Sequence, residues 1–587
     1  MVRGRFTDLT TAVEAVLAPV PPASPLGAAA LSVAVFGDPD GDGVPDVLVG
    51  TLEDGASARS FRYDAASGAL VVHAVAGLPA TATVRGIVDL DGDGRDDVLA
   101  GTTPGADQSS SLVVRWGGDA GYVPLAPSTA GNSRQALTLD DVDRDGWLDL
   151  LLGAGGADCS QHSMVRALLQ TGPRTFVERA GLVAAYGKID DGVIVTGPLG
   201  GARVVGVIGA PNACTPAPPL FYAEGPVDTD GYPTFGATAM AALPTGGPMG
   251  ATLADLDQDG FFDLAVALDP IVAMWRGGAT APLGAVPNAG GLASFVGHLG
   301  VLEKPWAMAF ADLDLDGMPD AIVTHGNHVI APTELPIGLQ WTSVHLHGAG
   351  GFCFSEVDGA LGLGREGDWR TLAVGDLDAD GDADFAVGGR GISARVYRND
   401  LDTGRHGMSL RFAGTTSNAL GIGAEVEVRR TPTATAQHFL VGGYAPPIVV
   451  TTPLVFVGLA DATAADTVTV RWPSGVVQVL HGLAAGAMHT ITEPRVLAVE
   501  PAARHLPAGG AGRARLRVRP GDAPDAWSAG AQVTFRIVAG GGTLGAPTVV
   551  DHETVVELTA PASPGSTVLE VLVDGVPLGV RPRLWWD

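Results

Sequence analysis

Basic residues are scarce in this chain of 587: 35 Lys and Arg stand against 64 Asp and Glu, a formal charge of −29. So acidic a protein is a poor partner for nucleic acid, whose phosphates need neutralising. No stretch of the roughly 18 residues that span a bilayer is continuously apolar, the long uncharged runs being broken by proline, glycine and hydroxyl residues, so no membrane crossing is expected. GxSxG, HExxH and Walker motifs are missing, which removes the commonest hydrolase, metalloprotease and nucleotide-binding signatures. The opening MVRGRFTDLTTAVEAVLAPV lacks the sustained apolar core and cleavage site of a signal peptide. Glycine and proline abound instead, 83 and 42 residues, and mark many turns between short strands.

Among those turns one nine-residue pattern, Asp-x-Asp-x-Asp-Gly-x-x-Asp, occurs six times, beginning at Asp38, Asp89, Asp141, Asp255, Asp312 and Asp376. Successive copies are 51, 52, 114, 57 and 64 residues apart, and 114 is twice 57. A seventh unit is therefore expected between Asp141 and Asp255, near TGPLGGARVVGVIGA (196–210), which keeps glycines and an apolar strand but no aspartate. Units of this length, with short apolar runs on both sides of each loop, predict an all-β, seven-bladed β-propeller of four-stranded sheets. An EF-hand also opens with Asp-x-Asp-x-Asp-Gly, but it needs flanking helices and a Glu at position 12. Position 12 is here Val49, Ala100, Leu152, Val266, Val323 and Val387, which excludes it.

Each loop supplies carboxylates at positions 1, 3, 5 and 9, and a glycine at position 6 that lets the position-7 carbonyl turn inward. The expected ligands are Asp38, Asp40, Asp42, Val44 (carbonyl) and Asp46 in the first loop, and Asp89, Asp91, Asp93, Arg95 (carbonyl) and Asp97 in the second. The next two loops offer Asp141, Asp143, Asp145, Trp147 (carbonyl) and Asp149, then Asp255, Asp257, Asp259, Phe261 (carbonyl) and Asp263. The last two offer Asp312, Asp314, Asp316, Met318 (carbonyl) and Asp320, then Asp376, Asp378, Asp380, Asp382 (carbonyl) and Asp384. A single Asp-Gly-rich stretch reads as a solvated turn, but six in register repel strongly unless a cation neutralises them. Oxygen-only donor sets, without His or Cys, select a hard ion, and about six Ca²⁺ are expected in preference to Mg²⁺. Sites of this kind fill at extracellular calcium levels, which implies a secreted or cell-surface protein whose leader is not in this chain.

The propeller is expected over residues 1–400, where GRFTDLTTAVEAVL resembles GFCFSEVDGALGLG (351–364) and each unit is read as beginning with such a strand. Longer strands without acid loops follow over 401–494. A proline- and alanine-rich linker then leads to alternating strands over 495–587, an immunoglobulin-like β-sandwich. Cys159 and Cys214 follow equivalent strands of adjacent units, a placement that allows a disulfide, while Cys353 in GFCFSEV is expected to pack in a strand.

The acid loops in a seven-unit array resemble the FG-GAP or VCBS repeats of bacterial surface proteins and integrin α-subunit propellers. EKPWAMAFADLDLDGMPDAIVTHGN, GFCFSEVDGALGLG, DWRTLAVGDLDADGDADFAVGG and VYRND are similar to the closing blades of the cartilage acidic protein family. Ser417-Asn418, GIGAEVEV (421–428), FVGLADATAADTVTVRWPSG (456–475) and Glu493 are similar to the ASPIC/UnbV module. Two departures stand out: the fourth unit has no metal ligands, and the module's FGLG is Val457-Gly458-Leu459-Ala460. The resemblance implies structural calcium on one face of the propeller, with partners on the opposite face or rim. It implies extracellular recognition, adhesion or a scaffold role with a protein or glycan ligand.

Other constellations are less specific. His325, His328, His345 and His347 in THGNH and VHLHG offer a transition-metal site, or simply hydrogen-bonding histidines. GLGREGDWR (362–370) is the nearest approach to the base and cation of a polysaccharide lyase, the alternative function, with its groove opposite the acid loops. Trp116, Trp147, Trp275, Trp306, Trp341 and Trp369 can stack on sugars, but packing between blades is the favoured role.

Overall fold

The computed structural model describes residues 3–10, 32–51, 59–73, 82–102, 112–119, 121–125, 136–153, 165–179, 181–183, 192–209, 220–238, 248–268, 271–287, 289, 292, 304–326, 342–348, 351–357, 361, 363, 367–390, 392–445, 450–502 and 504–587. The architecture is all-β, and among the described residues no helix is long and apolar enough to cross a membrane. Among the described residues, seven antiparallel sheets, each with four strands of its own, follow one another along the first 402 residues. Blade one shows the plan, with strands Ser32–Gly37, Asp46–Thr51, Arg59–Asp64 and Ala69–His73 paired in order.

The inner strands are apolar at almost every position because a neighbouring blade covers each face. Side chains alternate across the pleat, so Val33 and Val35 pack with Val84, Ile87 and Val98 of blade two, while Ala34 and Phe36 pack with Ala373 and Ala386 of blade seven. The outermost strands have one exposed face and are correspondingly polar, as in Thr175–Arg179. In blade four the strands Gly192–Leu199 and Ala202–Gly209 are joined by Gly200 and Gly201, at φ +57° and +79°. That two-residue turn stands where the other blades carry the nine-residue acid loop, and its paired positive φ values suit two glycines.

The N-terminal strand corrects one sequence reading. Arg3–Asp8 does not open a unit but is the outermost strand of the last blade, in register from Arg3 opposite Asp402 to Asp8 opposite Tyr397. The segment it resembled behaves alike, since Phe354–Glu356 is the outermost strand of blade six. Phe6 meets Phe385 edge to face at 5.1 Å, and Thr7 donates to Asp400, so the two ends of the propeller sequence share one sheet. Ring closure needs this overlap, because blades held only by neighbour contacts leave an open seam.

Downstream, His406–Ala413 lies between Leu454–Ala460 and Met488–Thr492 in one small sheet, and Gln437–Leu440, Glu425–Arg429, Ala464–Arg471 and Val477–Ala484 form another. Two further sheets over Leu497–Trp586 form a sandwich, and one continuous core runs from Met408 to Trp586 through both modules. The middle module also enters the ring. Tyr444–Ala445 pairs with Ala251 and Thr252 on the inner strand of blade five, and Val450–Thr451 pairs in parallel with Gly86 and Ile87 on the inner strand of blade two. The module therefore pairs with the inner strands of two blades that are three places apart in the ring.

Cys159, Cys214, His328 and Trp341 lie outside the described residues. Cys353 is exposed just before the strand Phe354–Glu356 and does not pack within it.

Candidate metal centres

Every acid loop joins the first and second strands of its blade, so all six sit at one end of the ring. The position-1 carboxylate shapes each loop by accepting backbone N–H groups. Asp38 takes those of Gly41, Asp42 and Gly43, and Asp89 those of Gly92 and Gly94. Asp141, Asp255, Asp312 and Asp376 each take the N–H groups of positions 5 and 6. The position-6 glycines have φ between +84° and +97°, a left-handed conformation that a side chain strains.

Position 5 closes a second small turn. Asp42, Asp93, Asp145, Asp259, Asp316 and Asp380 accept the N–H of Val44, Arg95, Trp147, Phe261, Met318 and Asp382 respectively. Position 9 opens the second strand and ties the loop down. Asp97, Asp149, Asp263, Asp320 and Asp384 each accept one N–H from position 2 and one from further along the blade, such as Gly117 to Asp97 at 2.7 Å. Asp46 differs, taking Arg62 Nε at 2.9 Å.

Position 3 reveals what sequence reading missed. An arginine approaches it in every loop: Arg62 at Asp40, Arg174 at Asp91, Arg583 at Asp143, Arg276 at Asp257, Arg405 at Asp314 and Arg398 at Asp378, at up to 3.8 Å. Three of these carry a local signal, since Arg62, Arg276 and Arg398 lie beside an aromatic residue on the third strand of their own blade, in FRYD, MWRGG and VYRND. The other three come from elsewhere in the chain.

The electrostatics favour a bound cation. Burial, with neighbouring carboxylates adding to it, pushes Asp141 and Asp255 up to about 7. Burial likewise lifts Asp97 and Asp263 to about 8, although backbone N–H groups partly offset it. Asp145, Asp149, Asp312, Asp320 and Asp384 stand well above the usual carboxylate range for the same leading reason. A proton or a cation relieves this crowding. Groups such as Asp38, Asp40 and Asp42, or Asp141, Asp143 and Asp149, each offer carboxylate oxygens within 4.8 Å of one another. Buried oxygens of Asp46, Asp257, Asp378 and Asp382 have no hydrogen-bond partner among the described residues. Donors this close, all oxygen and partly unpartnered, fit a hard divalent ion.

The acid-loop end is also where the downstream modules sit. Arg411 reaches Asp96 at 3.1 Å, Ser409 Oγ donates to Asp376 at 2.7 Å, and Ala460 N donates to Leu315 O at 3.0 Å. From the last module, Arg504 Nη1 donates to Asp145 O at 2.6 Å.

Residues 414–498 match the model of the ASPIC and UnbV family, and residues 89–152 match that of the FG-GAP-like repeat. The first match falls in the downstream module and the second spans the acid loops of blades two and three, so these two parts of the chain resemble those families. No curated protein matches it by sequence. Among solved structures, a rhamnogalacturonan lyase from Bacillus licheniformis is 13% identical with a TM-score of 0.36, covering 68% of this chain and 76% of its own. A lectin from Agrocybe aegerita that recognises non-reducing terminal N-acetylglucosamine is 16% identical at 0.35, covering 56% and 79%. The Dos1 propeller is 9% identical at 0.30, covering 60% and 75%.

The signature residues of the ASPIC and UnbV module converge on one buried carboxylate. Glu493 Oε2 accepts the N–H groups of Thr415, Thr416 and Ser417, each at 2.8 Å, and Oε1 accepts the hydroxyls of Ser417 and Ser474. Asn418 bonds Ile422 through both its amide nitrogen and its oxygen, holding the GIGA turn. A carboxylate with five donors is a structural clasp.

The remaining sequence candidates are built into the fold. His345 bonds Ser343 Oγ at 2.9 Å, and His347 stacks on Phe354 and bonds Gly351 O. His325 is fully buried. Arg370 is held by Asp368 at 2.8 Å and lies over Trp306, so the described part of GLGREGDWR is a closed pair. Trp116, Trp275, Trp306 and Trp369 are buried, while Trp147 is half-buried under Arg504.

Proposed function

We propose that this protein is a calcium-loaded recognition scaffold of the cell exterior, its ions structural and its partner, an extracellular protein or glycan, bound away from them. The observation that carries this reading is the position of the acid loops between the blades and the downstream modules. Ions there are surrounded by backbone and arginine, with Asp143 and Asp145 buried beneath Arg583 and Arg504. A calcium ion in this setting rigidifies hairpins and neutralises carboxylates. The opposite end of the ring and the rim are left for recognition.

Elemental analysis of the purified protein is expected to recover about six calcium ions per chain, as six carboxylate loops imply. A screen against glycans and extracellular proteins is expected to show binding that calcium strengthens. Recovery of one ion or none from folded protein overturns the metal reading, and turnover of a polysaccharide by the same preparation overturns the non-enzymatic one.

A further inference from the structure

The six acid loops are not equally open. In the first, Asp40 and Asp42 are exposed and pair with Arg62 and His73 of the same blade. In the third, all four carboxylates are buried, with Asp141, Asp143, Asp145 and Asp149 at 5% exposure or less. Two downstream modules form the lid. Thr416 O lies where a Cβ on Gly146 would be 2.9 Å away, and Arg581 N donates to Arg144 O. Arg504 lies over Trp147 and donates to Asp145 O, and Arg583 Nε stands 3.8 Å from Asp143 Oδ2.

The charges around this loop sort into two sets. Arg144 pairs with Glu224 at 2.7 Å, and Arg203 pairs with Asp140 at 2.8 Å, so these four groups balance one another. Four loop carboxylates then face the guanidiniums of Arg504 and Arg583, which supply half the positive charge that balance requires. One divalent cation supplies the other half. Both arginines meet the carboxylate oxygens only at long range, Arg504 Nη1 donating to Asp145 Oδ2 at 3.5 Å and Arg583 Nε standing 3.8 Å from Asp143 Oδ2, so they surround the donor set without filling it. Arg583 is itself 2% exposed, and its Nε has no hydrogen-bond partner among the described residues.

We propose that the third acid loop is an interdomain metal site, in which one divalent ion is occluded between blade three and the last module and fastens that module to the propeller. The inference rests on the calcium reading above but adds an inequality between sites. An ion here leaves only when the lid lifts, whereas an ion in the first loop meets solvent directly. By linkage, the ion stabilises the seated module, and the seated module retains the ion.

The full chain, loaded with radioactive calcium and chased with excess chelator, tests this. One ion per chain is expected to leave about tenfold more slowly than the rest, or slower. Asp143→Asn is expected to abolish the slow ion and raise amide exchange across residues 504–587 about tenfold, whereas Asp40→Asn removes an ion and leaves that protection unchanged. Arg583→Gln keeps every ligand and is expected to speed the slow release. If all ions leave in one phase, or if Asp143→Asn and Asp40→Asn affect residues 504–587 alike, the occluded site is wrong while the calcium reading stands. If no ion binds at all, both fall.

Discussion

A Cβ placed on Gly458 would lie 1.8 Å from Asp312 Oδ2, so at this point the downstream module meets the sixth blade's acid loop with bare backbone. Val457-Gly458-Leu459-Ala460 departs from the family's FGLG, yet it keeps the glycine that this approach demands. Ala460 N donates to Leu315 O beside it, and Gln437 donates to Gly458 O at 2.7 Å.

Gly458→Ala is therefore expected to destabilise the protein by about 1 to 3 kcal/mol, the usual cost of forcing a methyl group into a packed contact. Calcium affinity should fall with it, because Asp312 must move. Thermal melts with and without calcium check this, and an unchanged midpoint in both conditions would show that the contact is loose.

Glu493 gathers five donors from two segments, so removing its charge leaves several buried N–H and O–H groups poorly matched. Glu493→Gln is expected to cost about 2 to 4 kcal/mol. Because one core runs through both downstream modules, hydrogen exchange should rise in both together. Loss confined to residues 414–498 would separate the two modules energetically.

Acid should act in opposite directions on the metal-free and metal-loaded protein. Without metal, burial holds Asp97 and Asp263 at about 8 and Asp141 and Asp255 at about 7, against 3.8 for an ordinary aspartate. The folded state then binds more protons than the unfolded state between about pH 4 and 8, so stability is fullest at the acid end and falls as pH rises through 7 and 8. With calcium bound the carboxylates are ionised in the fold, and acid destabilises by expelling the ion. Melting temperatures in chelator and in calcium should thus slope oppositely over that range. Parallel slopes would mean that calcium does not sit on these carboxylates.

Much of the propeller was legible from residues close together in the chain. The interval of 114 residues disclosed blade four, whose Gly200-Gly201 turn replaces the acid loop. The loop itself is local chemistry: Asp38 bonds N–H groups three to five residues ahead, and Gly43 supplies the positive φ. The third-strand arginines Arg62, Arg276 and Arg398 stood within reach of the same reasoning, since each follows its loop at a short interval beside an aromatic residue.

By itself the sequence determined the repeat, the loop chemistry and the modular order, because short-range hydrogen bonding and alternating burial act over a few residues. Only the tertiary structure decided that Arg3–Asp8 completes the last blade, 389 residues or more away, and that Thr451 pairs with Ile87 on the inner strand of blade two. It also decided that Arg504 and Arg583 cover the third acid loop. Such contacts depend on how finished blades and modules pack, and no spacing rule connects residues whose encounter is set by the closure of a ring.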